Sequence, residues 1–408
     1  MKLYASLLLS IGLIFSNAQS NIQYDSLDFG SFSVGFSDTL LLEETIPYKY
    51  KNYAGSSPIL IKIWHPIPKN ESSNFLSAQA FQYSRNLDTN VQELEAELIS
   101  KFEEYYDRNI LRQDYIHFDE IEYPVLGSEL LLDYIKKTPT KSREAKLDKD
   151  SNFPILIYHH GSRGTAFDNY IMAEYLASHG YIVIAGNFNL AYENRPYGYT
   201  KNDPYDKRFC ERIIEFAQDL NSNTPIGFIG HSWGAQMGFS LLADEKNISA
   251  FVSMETTLEL WNRKQVKAKW PRLSGKIMEN YADYNLPILM FANQGPEMPV
   301  QFDFFKPIQS PQLIFATCKE EFVHESYASY YSARLNYSQT FPQNDAEEFK
   351  KQIGYFHNNL KLILNFMDEN LKGQKVDYTS FEKDFYLKIK NGKSPEEDSK
   401  PAILNSPN

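Results

Sequence analysis

The sequence predicts an α/β fold: a mostly parallel central sheet covered by helices on both faces and carrying a helical insertion. Three observations predict it. From residue 153 onward, short apolar runs alternate with segments of helical period. The runs, such as Pro154-Ile155-Leu156-Ile157-Tyr158, are continuously apolar, as strands buried on both faces are. One strand-to-helix junction, Gly230-His231-Ser232-Trp233-Gly234, is a turn flanked by glycines.

Taken in order, residues 1–20 stand outside the fold. Lys2, the apolar stretch Leu3 to Phe15 and the small residues Ser16 and Ala18 have the pattern of a secretory signal peptide, too short to span a bilayer. No later stretch is long and apolar enough to cross a membrane, so the mature chain is expected to be exported, periplasmic or secreted, with no stable membrane span. Losing the leader removes only Lys2 and leaves a formal charge of about −12. That balance argues against nucleic acid or anionic membrane surfaces as main partners. The two cysteines, Cys210 and Cys318, fall in a helical and a strand pattern, and their pairing is left open. No Cys/His cluster has metal-ligand spacing.

Residues 21–372 read as one domain. Segment 27–65 has antiparallel strand character, with the apolar run Pro58 to Trp64. Near residues 75–120 lies the insertion. There Val91, Leu94, Leu98, Phe102 and Tyr105 recur at helical spacing, which fits either a lid over a site or a helix packed on the body. Strands follow at 181–185, 225–229, 248–254, 287–292 and 312–317. Helices are expected over 168–179, 205–220, 235–244 and 346–371. Residues 373–408 turn polar and form a C-terminal extension, with 394–408 expected to be disordered.

Gly230 to Gly234 matches G-x-S-x-G in the strand–turn–helix setting that makes Ser232 a nucleophile of the α/β-hydrolase fold. An oxyanion needs two donors. The Trp233 N–H is one. The other is assigned to the Ser162 N–H, in the loop His159-His160-Gly161-Ser162-Arg163-Gly164. The expected chain order is Ser, acid, His. Only His324 and His357 follow Ser232; His357 lies inside a helical pattern, and His324, just past the last strand, is the base. For the acid, Glu255 and Glu297 compete. The commoner arrangement favours Glu297, with Asp303 a weaker option, whereas Glu255 sits directly at a strand end with no Gly or Pro between.

The segments Tyr158 to Gly164, Leu176 to Val183, Gly230 to Gly234 and Val323-His324-Glu325-Ser326-Tyr327 resemble the plasma-type platelet-activating factor acetylhydrolase family, and dienelactone hydrolases more distantly. The resemblance covers about residues 150 to 335. It implies a triad of Ser232, Glu255 and His324, with the Ser162 and Trp233 amides as oxyanion hole. That family carries Asp where this chain has Glu255, a departure of one methylene. The expected activity is cleavage of carboxylic esters, short-acyl or phospholipid-type, through an acyl-enzyme, with a small-molecule or lipid ester as partner and no cofactor. A peptidase or acyltransferase with the same triad, or a catalytically silent binding protein, are the alternatives.

Overall fold

Strands without a wet face must be covered on both sides, and every residue from Ile155 to His159 is buried. The computed structural model describes residues 22–69, 74–106, 128–191, 205–293, 300–319, 324–338 and 346–391. The leader, Glu297 and residues 392–408 lie outside the described residues. Strands β1 (Ser33–Tyr50), β2 (Tyr53–Ile67), β3 (Ser142–Glu144), β4 (Ile155–His159), β5 (Ile182–Gly186), β6 (Ile226–His231), β7 (Ile248–Met254), β8 (Ile288–Asn293), β9 (Gln312–Cys318) and β10 (Phe385–Asn391) form one sheet. Its order is β10-β9-β8-β7-β6-β4-β5-β2-β1-β3. From β5 across to β9 the pairing is parallel; β2 joins β5, and β10 joins β9, in antiparallel sense.

The chain leaves β4 for β5 on one side and then returns to β6 on the other, so strand order reverses between β4 and β6. In open α/β sheets such a switch point opens a crevice at the carboxyl ends of the strands. The helices are α1 (Thr89–Tyr105), α2 (Ser128–Lys137), α3 (Tyr170–Ser178), α4 (Tyr205–Leu220), α5 (Trp233–Leu242), three short ones, α6 (Thr257–Leu260), α7 (Arg263–Lys269) and α8 (Pro271–Glu279), then α9 (Ser329–Ser338) and α10 (Ala346–Lys372). Alternate strand residues feed two apolar clusters, Leu156 and Tyr158 on one face, Ile155 and Ile157 on the other. Cys318 belongs to the first cluster and Cys210 to the second; both are buried and unpaired. Among the described residues, no helix is long and apolar enough to cross a membrane.

The polar stretch after Gly373, read from the sequence as an extension, supplies the edge strand β10. Phe385 is buried on β9, while Lys388 and Lys390 line an edge that charge protects from further pairing.

Helix α1, the insertion, is packed on the body. Its face of Val91, Leu94, Leu98, Ile99 and Phe102 is buried. A buried ion pair adds to this contact: Lys62 of β2 meets Glu95 at 3.0 Å, with side chains 2% and 4% exposed. Glu95 also accepts the Ser84 N–H at 2.7 Å and the Ser84 hydroxyl at 2.6 Å. Burial lowers the pKa of Lys62 despite the Glu95 charge. Removing one partner of such a pair leaves an uncompensated buried charge, at a cost of about 3–5 kcal/mol. Glu95→Ala is therefore expected to lower unfolding stability by about that amount in urea titration. Lys51→Ala, which breaks the exposed pair with Glu97, is expected to leave the transition where it is.

Candidate active site

Ser232 is the first residue past β6 and the N-cap of α5, at φ +53° and ψ −113°. A non-glycine residue there is strained. Its N–H donates to the Met254 carbonyl of the neighbouring strand at 3.1 Å, and its own carbonyl accepts the first helical amides, Ala235 at 3.1 Å and Gln236 at 3.2 Å. Two glycines make the turn possible. A Cβ on Gly230 would lie 2.5 Å from the Ala235 nitrogen, and one on Gly234 would lie 2.2 Å from the His159 carbonyl oxygen. As first residue of α5, Trp233 carries its backbone N–H at the positive end of the helix. Its indole N–H donates to the buried Asp206 carboxylate at 2.5 Å.

The loop after β4 lies directly against the serine. A Cβ on Gly161 would come within 3.3 Å of the Ser232 Cβ. Gly161 to Gly164 is a reverse turn closed by the Gly164 N–H on the Gly161 carbonyl at 3.0 Å, with Arg163 at φ +62°. His160 pins it. The Phe188 N–H donates to Nε2 at 3.0 Å, so Nδ1 carries the proton and donates to the Gly161 carbonyl at 2.7 Å. Burial brings the His160 pKa down to about 4, so the ring stays neutral. Ser162 lines the same cleft as Ser232 and His324.

The structure brings His324 and Glu255 together. His324 Nδ1 donates to Glu255 Oε1 at 2.8 Å, and Glu255 Oε2 accepts the Asn293 N–H at 2.6 Å. Glu255 is buried and stands at φ +49°, immediately past β7. Burial opposes protonation of His324, but the hydrogen bond and charge of Glu255 outweigh it and raise the imidazole above the ordinary histidine value. Asp303 is engaged elsewhere, paired with Lys306 on the surface. His357 is fully buried; it is bonded to Ser26, and its Nε2 reaches the Gln23 carbonyl at 2.7 Å.

The sequence assigns no role to several contributors. His231 Nε2 donates to the His324 carbonyl at 3.2 Å, tying the serine turn to the histidine segment. Helix α1 delivers Phe102 and Tyr105 to the cleft, Tyr106 follows, and α9 adds Tyr330. The insertion is thus both packed on the body and a wall of the site. Phe102 and Tyr330 meet edge-to-face at 5.0 Å, and the Tyr106 hydroxyl donates to the Tyr330 carbonyl at 2.6 Å. Among the described residues the cleft encloses about 120 Å³. Only the helical period of α1 hinted at these rings. The arrangement offers a strained serine, an imidazole oriented by a carboxylate, and backbone amides beside the serine, the elements of nucleophilic acyl transfer.

The strand order and the serine turn at the switch point define an α/β-hydrolase-fold protein. The family described as alpha/beta hydrolase fold matches residues 154–285. Among solved structures, a ferulic acid esterase from Streptomyces cinnamoneus is similar over 88% of this chain and 96% of that one, at 13% identity and a TM-score of 0.50. An esterase from Pyrococcus furiosus is similar over 55% and 84%, at 16% identity and a TM-score of 0.36. A cold-adapted esterase from an Arctic intertidal metagenomic library is similar over 70% and 84%, at 12% identity and a TM-score of 0.34. At 13% identity, the likeness to the ferulic acid esterase shows the fold alone. None of the curated proteins matches this sequence.

If His324 acts as a base it must be neutral. The acid limb of kcat/KM is then expected above the ordinary histidine value of about 6.5. Glu255→Gln is expected to lower turnover on the order of 10⁴-fold and to move that limb to lower pH, as the charge holding the proton is lost. Glu297→Gln is expected to leave both near native. Turnover and pH profiles on one ester, with folding checked by circular dichroism, separate the two glutamates.

Proposed function

We propose that the protein is a serine hydrolase of carboxylic esters, acting through an acyl-enzyme on Ser232. The observation that carries this reading is the 2.8 Å hydrogen bond from His324 to the buried Glu255, in the cleft that Ser232 lines. His324 Nε2 takes the Ser232 proton as Oγ attacks the ester carbonyl. Glu255 holds the imidazole with its proton on Nδ1 and balances the imidazolium that forms. The Trp233 and Ser162 amides receive the oxyanion. The imidazolium then protonates the leaving alcohol. Water, deprotonated by the same ring, releases the acid.

The rings that wall the cleft suit an apolar acyl group or a single aromatic ring. The resemblance of the motif segments to the acetylhydrolase family points to a short acyl chain. A fluorophosphonate is expected to abolish activity by modifying Ser232 stoichiometrically, read by mass spectrometry. Label on another peptide, or none on an active preparation, sinks the assignment. Across p-nitrophenyl esters, kcat/KM is expected to fall steeply as the acyl chain grows beyond a few carbons, and peptide substrates are expected to be poor.

The leader-like residues 1–20 support export, with the mature chain starting close to Gln19. N-terminal sequencing of protein recovered from the host's envelope or medium tests this. A chain retaining Met1 to Phe15 argues for an anchored protein.

A further inference from the structure

Two segments of the candidate site come from distant parts of the chain: the loop 159–165 after β4 and the histidine segment 324–331. Both are bonded to the dipeptide Asp168-Asn169 at the start of α3. The Asp168 carboxylate, 5% exposed, accepts the Tyr158 hydroxyl at 2.9 Å at one flank of the loop, and the Asp168 N–H donates to the Thr165 carbonyl at 3.3 Å at the other. The Asp168 backbone carbonyl accepts the Tyr330 N–H at 3.3 Å, from the other segment. Asn169, 2% exposed, donates Nδ2–H to the Tyr327 carbonyl at 2.8 Å and accepts the Ser329 hydroxyl on Oδ1 at 3.0 Å.

The use of Asn169 is unusual for its position. Asn at an N-cap ordinarily accepts an amide of the first helical turn. Asn169 is the N-cap of α3, yet its side chain makes no capping bond. The Ile171 N–H instead donates to the Ser329 hydroxyl at 2.8 Å. The histidine segment therefore supplies the cap of α3, and the residue displaced from that task holds the histidine segment. The exchange costs α3 nothing in satisfied donors and links two elements 158 residues apart.

We propose that Asp168 and Asn169 are positioning residues that fix the oxyanion loop and the His324 segment in one frame, so that the loop amides and the imidazole stay in register over Ser232. The proposal rests on the esterase reading for its catalytic consequence, and on hydrogen bonds alone for the tether. Asparagine at 168 keeps a side-chain oxygen of the same placement to accept the Tyr158 hydroxyl.

The test uses the full mature chain with Asp168→Ala, Asp168→Asn, Asn169→Ala and Ser329→Ala, the last being the mildest and a safeguard should the others fail to fold. Misplacement by about 1 Å can cost on the order of 10²-fold in rate. Asp168→Ala, Asn169→Ala and Ser329→Ala are expected to lower kcat on p-nitrophenyl acetate roughly 10- to 100-fold with KM within about threefold. Asp168→Asn, which keeps the acceptor, is expected to stay within about threefold of native. Amide hydrogen exchange is expected to rise at 159–166 in Asp168→Ala and at 324–331 in Asn169→Ala and Ser329→Ala. Native kcat in folded Asn169→Ala and Ser329→Ala, a change confined to KM, or unchanged exchange in both segments overturns the proposal. If the native protein cleaves no ester and takes no fluorophosphonate, the esterase reading fails instead, and the exchange data still decide the tether.

Discussion

The site hangs on one strained turn. Ser232 is held in a backbone conformation that costs of order 1–3 kcal/mol and persists only where its surroundings over-determine it. Three features do so. The Ser232 N–H extends the β6–β7 ladder by one bond to Met254. The Ser232 carbonyl starts α5. Gly234 lies so close to the His159 and His160 carbonyls that no side chain fits between them. The last contact locks β6 to the loop after β4, its neighbour in the sheet. The close approach that makes the turn possible is thus the one that brings the loop after β4 against the serine.

Strain gathers at the same place. Arg163, Ser232 and Glu255 all have positive φ and follow β4, β6 and β7, three adjacent strands, at their carboxyl ends. At Glu255 the cost fits its task, since the residue leaves the strand sharply enough to meet both the Asn293 amide and the His324 ring. Behind it, buried Glu259 gathers the Ser253 hydroxyl at 2.5 Å and the Thr256 N–H at 2.8 Å, bracing the bend. Desolvation pushes that carboxyl up to about 7.

What the sequence made legible follows physical signal strength. Continuous apolar runs and the glycine-flanked serine are local patterns, so the parallel strands and Ser232 could be read directly. The placement of His324 followed from chain order. Glu255 and Glu297 could not be separated by residue type, because both follow strand ends, and the contact that joins Glu255 to His324 spans 69 residues. Strand β10 was missed because an edge strand alternates charge with apolar residues and looks like a tail. Helix α9 was missed because its ten residues, Ser329–Ser338, mix Tyr, Ser, Arg and Asn without a clean apolar stripe. Asp168 and Asn169 read as an ordinary helix start; their partners lie in a distant segment that no local pattern identifies.

The insertion shows why a buried ion pair can be kept where apolar packing would hold as well. Replacing such a pair with hydrophobic residues is often neutral or stabilising, so Lys62–Glu95 is weak evidence for stability as such. It is stronger evidence for register. An apolar helix face tolerates sliding by a turn, whereas a carboxylate that must meet Lys62 and both donors of Ser84 fits one position only. From Glu95 the helix runs about two turns to Phe102, and 3.6 residues per turn keeps these two on nearly the same face, with Tyr105 less than a turn further on. Fixing Glu95 therefore fixes where the aromatic wall meets the cleft. The Tyr106 hydroxyl on the Tyr330 carbonyl ties the far end of that wall to α9, the helix that follows the histidine segment. Among the described residues the aromatic wall is thus held to the body at Glu95 and again at Tyr106.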